Sequence, residues 1–320
     1  MIRKWKKKVS LLHKKLLLLK YYCTRIDWTT STTDKKRIII CFDGLFSHGG
    51  LVDRLKGIIS FYEIAKRQDY DFYIYFTHPF KLIHFLEPNS IPWEISKSQL
   101  KYNPFTTKIF YLMDNFLANP LELIEETTAK TILIYSNIDY LQTIYPDKSK
   151  VDVNTIWRQN YKELFLVSHS LQSQIDKLPQ ERSIVFHTRF TSLMGDFKDT
   201  TALTLDAFSQ LNLMRHLVEK IQEVTILDPT VKPYVLSDSI VFLNYVKANT
   251  TFGILDGNPK HIGIKNNDQD LVSQYKTFTD FYFMTKCEVL YLLRFNPMYN
   301  SSFCKYAAII GNVSFTTLQE

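Results

Sequence analysis

Glycine and proline are scarce in this 320-residue chain, at 9 and 11 residues, which excludes collagen-like, linker-like and low-complexity architectures. Cysteine is scarcer still. The four that occur, Cys23, Cys41, Cys287 and Cys304, form no CxxC pair, so neither a disulfide scaffold nor a structural zinc site is expected, and a reducing cytosol fits best. No Asp-x-Asp motif sits at the carboxyl end of an expected strand, which argues against a site built around a metal-chelating carboxylate pair. No internal repeat stands out. Acidic residues are missing altogether from residues 1–20, which carry Arg3, Lys4, Lys6, Lys7, Lys8, Lys14, Lys15 and Lys20. Taking those eight charges from the net +7 leaves −1, so the body of the chain is near neutral and a nucleic-acid partner is not expected. Within this segment the longest apolar run, Leu16 to Leu19, falls far short of the ~20 residues that span a bilayer, and no small-residue cleavage site follows it. Two readings of the segment stay open: a basic amphipathic element on an anionic membrane surface, or a solvated tail.

What is present is ample core: 45% hydrophobic residues with 19 Tyr and 23 Phe, enough for two domains. Residues 37–42, RIIICF, read as a buried strand, followed by a glycine loop and then apolar residues at helical spacing over 51–65 (Leu51, Leu55, Ile58, Ile59, Tyr62). Further strands are expected at 71–76, 108–113 and 131–136, with helices around 79–86 and over 161–175. The second half opens on a strand at 183–188. It continues with a helix at 205–221, strands at 224–227 and from 235, a helix at 239–246, and a short strand at 251–255. A helix over 280–287, a strand at 289–293 and a terminal helix complete it. Alternating strands and helices imply βαβ units and mostly parallel sheet, an α/β fold. The expected organisation is a basic arm and linker over 1–36, a Rossmann-like domain over 37–178, and a second over 179–320.

Two loops carry the chemistry. His187, Thr188 and Arg189 follow the apolar run Ile184 to Phe186, where a parallel strand ends, the position at which open α/β sheets bind ligands. An arginine there offers a planar fork of donors to a phosphate and keeps its charge. In the first half, Gly49 and Gly50 let a ligand approach the backbone at the start of a helix whose free N–H groups favour anions. Asp43, His48 and Asp53 surround this loop and are candidate general bases. Asp53, in the first helical turn, also serves as plain capping chemistry there.

Glycine loop, Arg-Leu-x-Gly continuation (Arg54, Leu55, Lys56, Gly57) and a later strand ending His-x-Arg together resemble the fucosyltransferases of the GT-B superfamily. These include the bacterial nodulation fucosyltransferase, α1,6-fucosyltransferases and protein O-fucosyltransferases. The likeness spans roughly residues 37–310 as an ordered set of short motifs. It implies a GT-B fold, two Rossmann-like domains facing across a cleft, and a metal-independent, inverting transfer from GDP-fucose. It implies that Gly49, Gly50, Asp53 and Arg54 face acceptor and donor sugar, and that His187 and Arg189 meet the diphosphate. Asp238 falls near the nucleotide in the family, but capping of the helix over 239–246 is the preferred reading of it. By the same resemblance Asp280 accepts from the guanine edge, while Ser301 and Ser302, with Phe303 behind them, bind the diphosphate. His261, Ile262 and Gly263 resemble the weak segment preceding that last motif. The chain departs from the family in a longer stretch between Val289 and Ser301 and in a single arginine after His187. Asp53 and His48 remain the two base candidates.

The expected partners are thus a nucleotide-sugar donor and an oligosaccharide or lipid-linked acceptor, in the cytoplasm or on the inner membrane face. The Lys-, Ile- and Tyr-rich composition points to bacterial surface-glycan assembly. A GT-B transferase for another nucleotide sugar and a catalytically silent glycan-assembly subunit are the alternatives.

Overall fold

The structure, a computed structural model, describes residues 2–28, 35–197, 203–226, 228–258 and 271–319. In chain order the first half comprises α1 (Ile2–Cys23), β1 (Arg37–Phe42), α2 (Leu51–Arg67), β2 (Asp71–Phe76), β3 (Leu86–Pro88), β4 (Thr107–Tyr111), α3 (Pro120–Glu125), β5 (Thr131–Tyr135), α4 (Leu141–Ile144), α5 (Lys150–Leu164), β6 (Phe165–Val167) and α6 (His169–Ile175). The second half comprises β7 (Ser183–Thr188), α7 (Ala207–Thr225), β8 (Lys232–Ser237), α8 (Ile240–Asn249), α9 (Leu271–Met284), β9 (Val289–Leu293), α10 (Phe303–Gly311) and β10 (Ser314–Leu318).

Strands β2, β1, β5 and β4 form one parallel sheet in that order, and β10, β9, β7 and β8 form a second. Strand β1 is apolar on both faces because both are covered. Ile38, Ile40 and Phe42 point into the core beneath α2, while Ile39 and Cys41 point the other way, into a cluster with Leu18 and Tyr22 of α1. The end of the basic segment is therefore the lid on one face of the first sheet rather than a free tail. In the second sheet Phe186, Val235 and Leu293 pack with Met214, Leu217 and Ile221 of α7. Val185, Leu290 and Leu292 face the larger core instead, together with α9 and α10.

That larger core joins the two halves. Phe85 stacks on Phe278 at 4.3 Å between ring centres, the Tyr161 and Tyr282 hydroxyls bond at 2.6 Å, and Arg158 donates to the Ile309 carbonyl at 2.7 Å. Helices α5, α9 and α10 thereby hold the carboxyl ends of both sheets toward one cleft.

Several elements differ from expectation. Residues 161–175 are not one helix: Phe165–Val167 leaves α5 to pair antiparallel with β3, and Ser168 then caps α6, its hydroxyl accepting from Leu171 N. The stretch at 79–86 holds only a single 3₁₀ turn, Leu82–His84. Helix α7 continues through Thr225 where a strand was expected at 224–227, since Leu217, Ile221 and Val224 keep helical spacing; residue 227 lies outside the described residues. At 251–255 the structure has one bridge, Gly253 with Tyr234. Strand β10, which closes the second sheet, was not anticipated. His261 to Gly263 lies outside the described residues.

Candidate functional site

A cavity of about 410 Å³ opens between the two sheets. Its walls come from the carboxyl ends of strands on both sides. From the first half come Gly49, Gly50 and Asp53 after β1, Asp114 after β4 and Asn137 after β5. Facing them are His187 and Arg189 of the β7 end, Ser237 and Asp238 of the β8 end, Lys276 and Asp280 of α9, and Tyr299, Ser301, Ser302 and Phe303 at the start of α10. Ten of the twelve sequence candidates line this single space. His48 and Arg54 do not.

The glycine turn requires its glycine. Gly49 has φ +76°, and a Cβ there would lie 2.7 Å from Asp53 Oδ2. That close approach lets Oδ2 accept from Gly50 N at 3.2 Å. Oδ1 accepts from Lys56 Nζ at 3.0 Å, and the same ammonium donates to Ser302 Oγ at 3.2 Å across the cleft. Asp53 keeps 42% of its side chain exposed, so capping and a place in the cavity coexist.

Arg54 points the other way. It is fully buried; its Nε donates to the Gly49 carbonyl at 3.2 Å and its Nη1 to the His78 carbonyl, with the guanidinium over the Phe76 ring at 5.1 Å. Burial pulls its pKa down to about 9, so the cation persists at neutrality. It positions the loop and has no face to offer a ligand. The spacing already contained this: Arg54 lies three residues after Leu51 and four before Ile58, on the apolar stripe of α2.

His48 is also fully buried, its Nε2 3.7 Å from Asp43 Oδ1, with Phe42 edge-on and Tyr135 stacked beside it. Burial lowers its pKa, so it is neutral. For Asp43 burial acts upward, but contacts from His48, the Leu45 N–H and the Tyr135 hydroxyl win and hold the carboxyl below its usual range. His48 thus belongs to a packed network behind the loop. Of the base candidates around this loop, Asp53 alone lines the cavity.

Arg189 is 17% exposed, its Nε 3.4 Å from Asp238 Oδ2 and its guanidinium 4.7 Å from the Phe197 ring centre. Asp238 does not cap α8. Ser239 does, its hydroxyl accepting from Phe242 N at 3.1 Å. Asp238 instead accepts from the backbone N–H groups of Phe190 and Thr191, each at 2.8 Å, and so fixes the turn that presents Arg189. Burial raises the Asp238 pKa, against Arg189 and those N–H groups, to a net value above the ordinary one.

His187 is buried at the cavity wall, its ring 5.8 Å from that of Phe303. Burial, then the nearby Arg189 charge, pushes its pKa down to about 3. The unfolded chain therefore takes up a proton near pH 6.5 that the folded chain refuses, and this group's effect is a loss of stability as pH falls below that point. His48 acts in the same sense, while Asp238 and Asp280, with raised values, act in the opposite one. From about pH 7 to pH 5 His187 accounts for a loss of roughly 2 kcal/mol. Urea midpoints at the two pH values check this: the wild-type drop should exceed that of His187→Gln by about that amount, and equal drops would refute it.

At the far wall Asp280 accepts from Lys276 Nζ at 2.6 Å, and Lys276 also donates to the Leu255 carbonyl at 3.1 Å. Burial raises the Asp280 pKa more than Lys276 lowers it. Ser301 Oγ accepts from Phe303 N at 3.2 Å, and the first residues of α10 line the cavity, the end of a helix that suits an anion. Asp114, Asn137, Lys276 and Tyr299 were missed in the sequence. Asn137, two residues past a five-residue apolar strand, was within reach of the strand-end rule that singled out Arg189.

Two parallel Rossmann-like sheets facing across a cleft, with most of the cavity wall drawn from strand ends and helix starts and the rest from α9, constitute the GT-B fold. Solved structures of NodZ share it. The NodZ alpha-1,6-fucosyltransferase soaked with GDP-fucose matches with a TM-score of 0.55 at 17% identity, over 86% of this chain and 93% of that one. The selenomethionine form of the fucosyltransferase NodZ from Bradyrhizobium gives 0.55 at 17% over 86% and 92%. NodZ co-crystallised with GDP gives 0.54 at the same identity and the same coverages as the latter. No protein-family model matches the sequence, and no curated protein matches it by sequence.

Proposed function

We propose that the chain is an inverting glycosyltransferase that uses GDP-fucose and acts on a bacterial surface-glycan acceptor, an oligosaccharide or a lipid-linked one, on the cytoplasmic side. The observation that carries this reading is that Arg189 and the N-terminus of α10 share one cavity with the Gly49 turn and Asp53. A diphosphate meets a fixed cation and helix N–H groups on one side, and an acceptor hydroxyl meets a carboxylate on the other. The neighbours of known fold, one soaked with GDP-fucose and one co-crystallised with GDP, support the choice of donor.

In the scheme proposed, the acceptor oxygen attacks C1 of fucose from the face opposite the phosphate. The C1–O bond to the β-phosphate breaks, and the hydroxyl proton passes to Asp53. Arg189 neutralises the charge that grows on the leaving diphosphate, assisted by Ser301 and Ser302. No metal enters the scheme. Asp280 supplies the carboxylate for the paired N–H donors of guanine, beside Lys276, a donor suited to the guanine carbonyl.

A thermal-shift panel of GDP, UDP, ADP and CMP tests the donor. At about 100 times Kd, bound GDP stabilises by ~2.7 kcal/mol, a rise of about 4 °C. Asp280→Ala should remove most of the GDP shift. A shift with UDP and none with GDP would eliminate the fucose donor. Release of GDP from GDP-fucose, with and without candidate acceptor sugars, tests the transfer itself.

A further inference from the structure

The outer face of α1 has no part in the cavity. Its last turns are fixed to the body: Leu18 and Tyr22 are buried against the first sheet, the Tyr22 hydroxyl bonds that of Tyr135 at 2.9 Å, and the Lys14 ammonium lies 5.0 Å over the Tyr111 ring. Leu12, Leu16 and Leu19 are nevertheless 59%, 56% and 49% exposed. Spacings of four and three put these leucines within an arc of about 60° on the cylinder. Exposed Lys15 borders that arc on one side and exposed Lys20 on the other. In the sequence the same spacing runs back to Val9 and Trp5. No described residue covers the stripe.

We propose that α1 docks the protein on an anionic lipid bilayer, lying in the interface plane with Leu12, Leu16 and Leu19 at the acyl boundary and Lys15 and Lys20 among the headgroups. Three observations select this occupant. An apolar stripe bordered by cations, on a segment with eight positive charges and no acid, complements a surface that is negative outside and apolar within. A second copy of the helix would bring the same cations together, and nucleic acid has no use for a row of leucines. Spanning is not the mode, since no helix among the described residues is long and apolar enough to cross a membrane. The proposal is independent of the donor chemistry; it would bring the cleft to lipid-linked acceptors.

The test is flotation of the full-length chain with vesicles of phosphatidylcholine mixed with phosphatidylglycerol, against vesicles of phosphatidylcholine alone. Binding is expected to the mixed vesicles only and to weaken as salt is raised. The triple variant L12E/L16E/L19E should bind at least about tenfold more weakly. All three side chains are exposed, so its melting temperature and its GDP-induced shift should match wild type. That shift, read on the same preparations, separates failure of this proposal from failure of the donor assignment. The proposal is overturned if wild type does not float with the anionic vesicles, or if the triple variant floats equally well. It is also overturned if light scattering finds a dimer that the triple variant turns into a monomer while lipid binding is absent.

Discussion

On the proposed reading, Arg189→Ala is expected to lower turnover of GDP-fucose by ~10²-fold or more, with the loss in kcat rather than KM. The size follows from how the guanidinium is held. Asp238 receives two backbone N–H bonds of 2.8 Å and stands 3.4 Å from Arg189 Nε, so the cation is aimed before substrate arrives and needs no reorganisation as charge builds on the leaving phosphate. Low exposure keeps the local dielectric low and the interaction strong. Arg189→Lys retains a charge for Asp238 but lacks the planar fork, and should fall between alanine and wild type. It also controls for folding, because the alanine variant leaves the buried Asp238 carboxylate without its cation. Wild-type turnover in a folded Arg189→Ala protein would remove this residue from the mechanism.

Arg54→Ala is expected to cost about 3 kcal/mol of stability. The substitution deletes charge-assisted donors to two backbone carbonyls, those of Gly49 and His78, and empties a space beside the Phe42 and Phe76 rings. It also frees the Gly49 turn, so the folded fraction should bind GDP-fucose less well although position 54 touches no substrate. Urea denaturation monitored by tryptophan fluorescence measures the first effect. A midpoint shift equivalent to less than about 0.5 kcal/mol would show that Arg54 is a surface-like residue after all.

These two arginines show how far the sequence could be read. Both follow a strand and a candidate loop, and both were assigned to ligand. Arg189 sits in a loop, where nothing but the turn directs it, and Asp238, 49 positions later, turns it toward the cleft. Arg54 sits in a helix, where phase decides direction, and its phase is that of Leu51, Leu55 and Ile58. Asp53, one residue earlier and about 100° round the same helix, faces the cavity. His48 could not be judged this way, since burial of a loop histidine depends on the packing of Phe42 and Tyr135, which arrive from different strands. The sequence put the cap of α8 at Asp238, and the backbone placed it one residue on, at Ser239.

Runs such as Ile38 to Phe42 and Ile184 to Phe186 determined by themselves that the chain builds buried parallel strands, because a strand covered on both faces must be apolar throughout. Strand ends then located Asp53, His187, Arg189 and Asp238 among the residues that line the cleft, and the family resemblance supplied Asp280, Ser301 and Ser302. Which of those residues meet was decided by tertiary structure alone. The Lys56 ammonium bonds Ser302 across 246 positions of sequence, and the last turns of α1 close the first sheet while its leucines are left outside. Hydrophobic periodicity is a property of neighbours along the chain, whereas convergence depends on how α5, α9 and α10 lock two sheets together, and no local pattern records that angle.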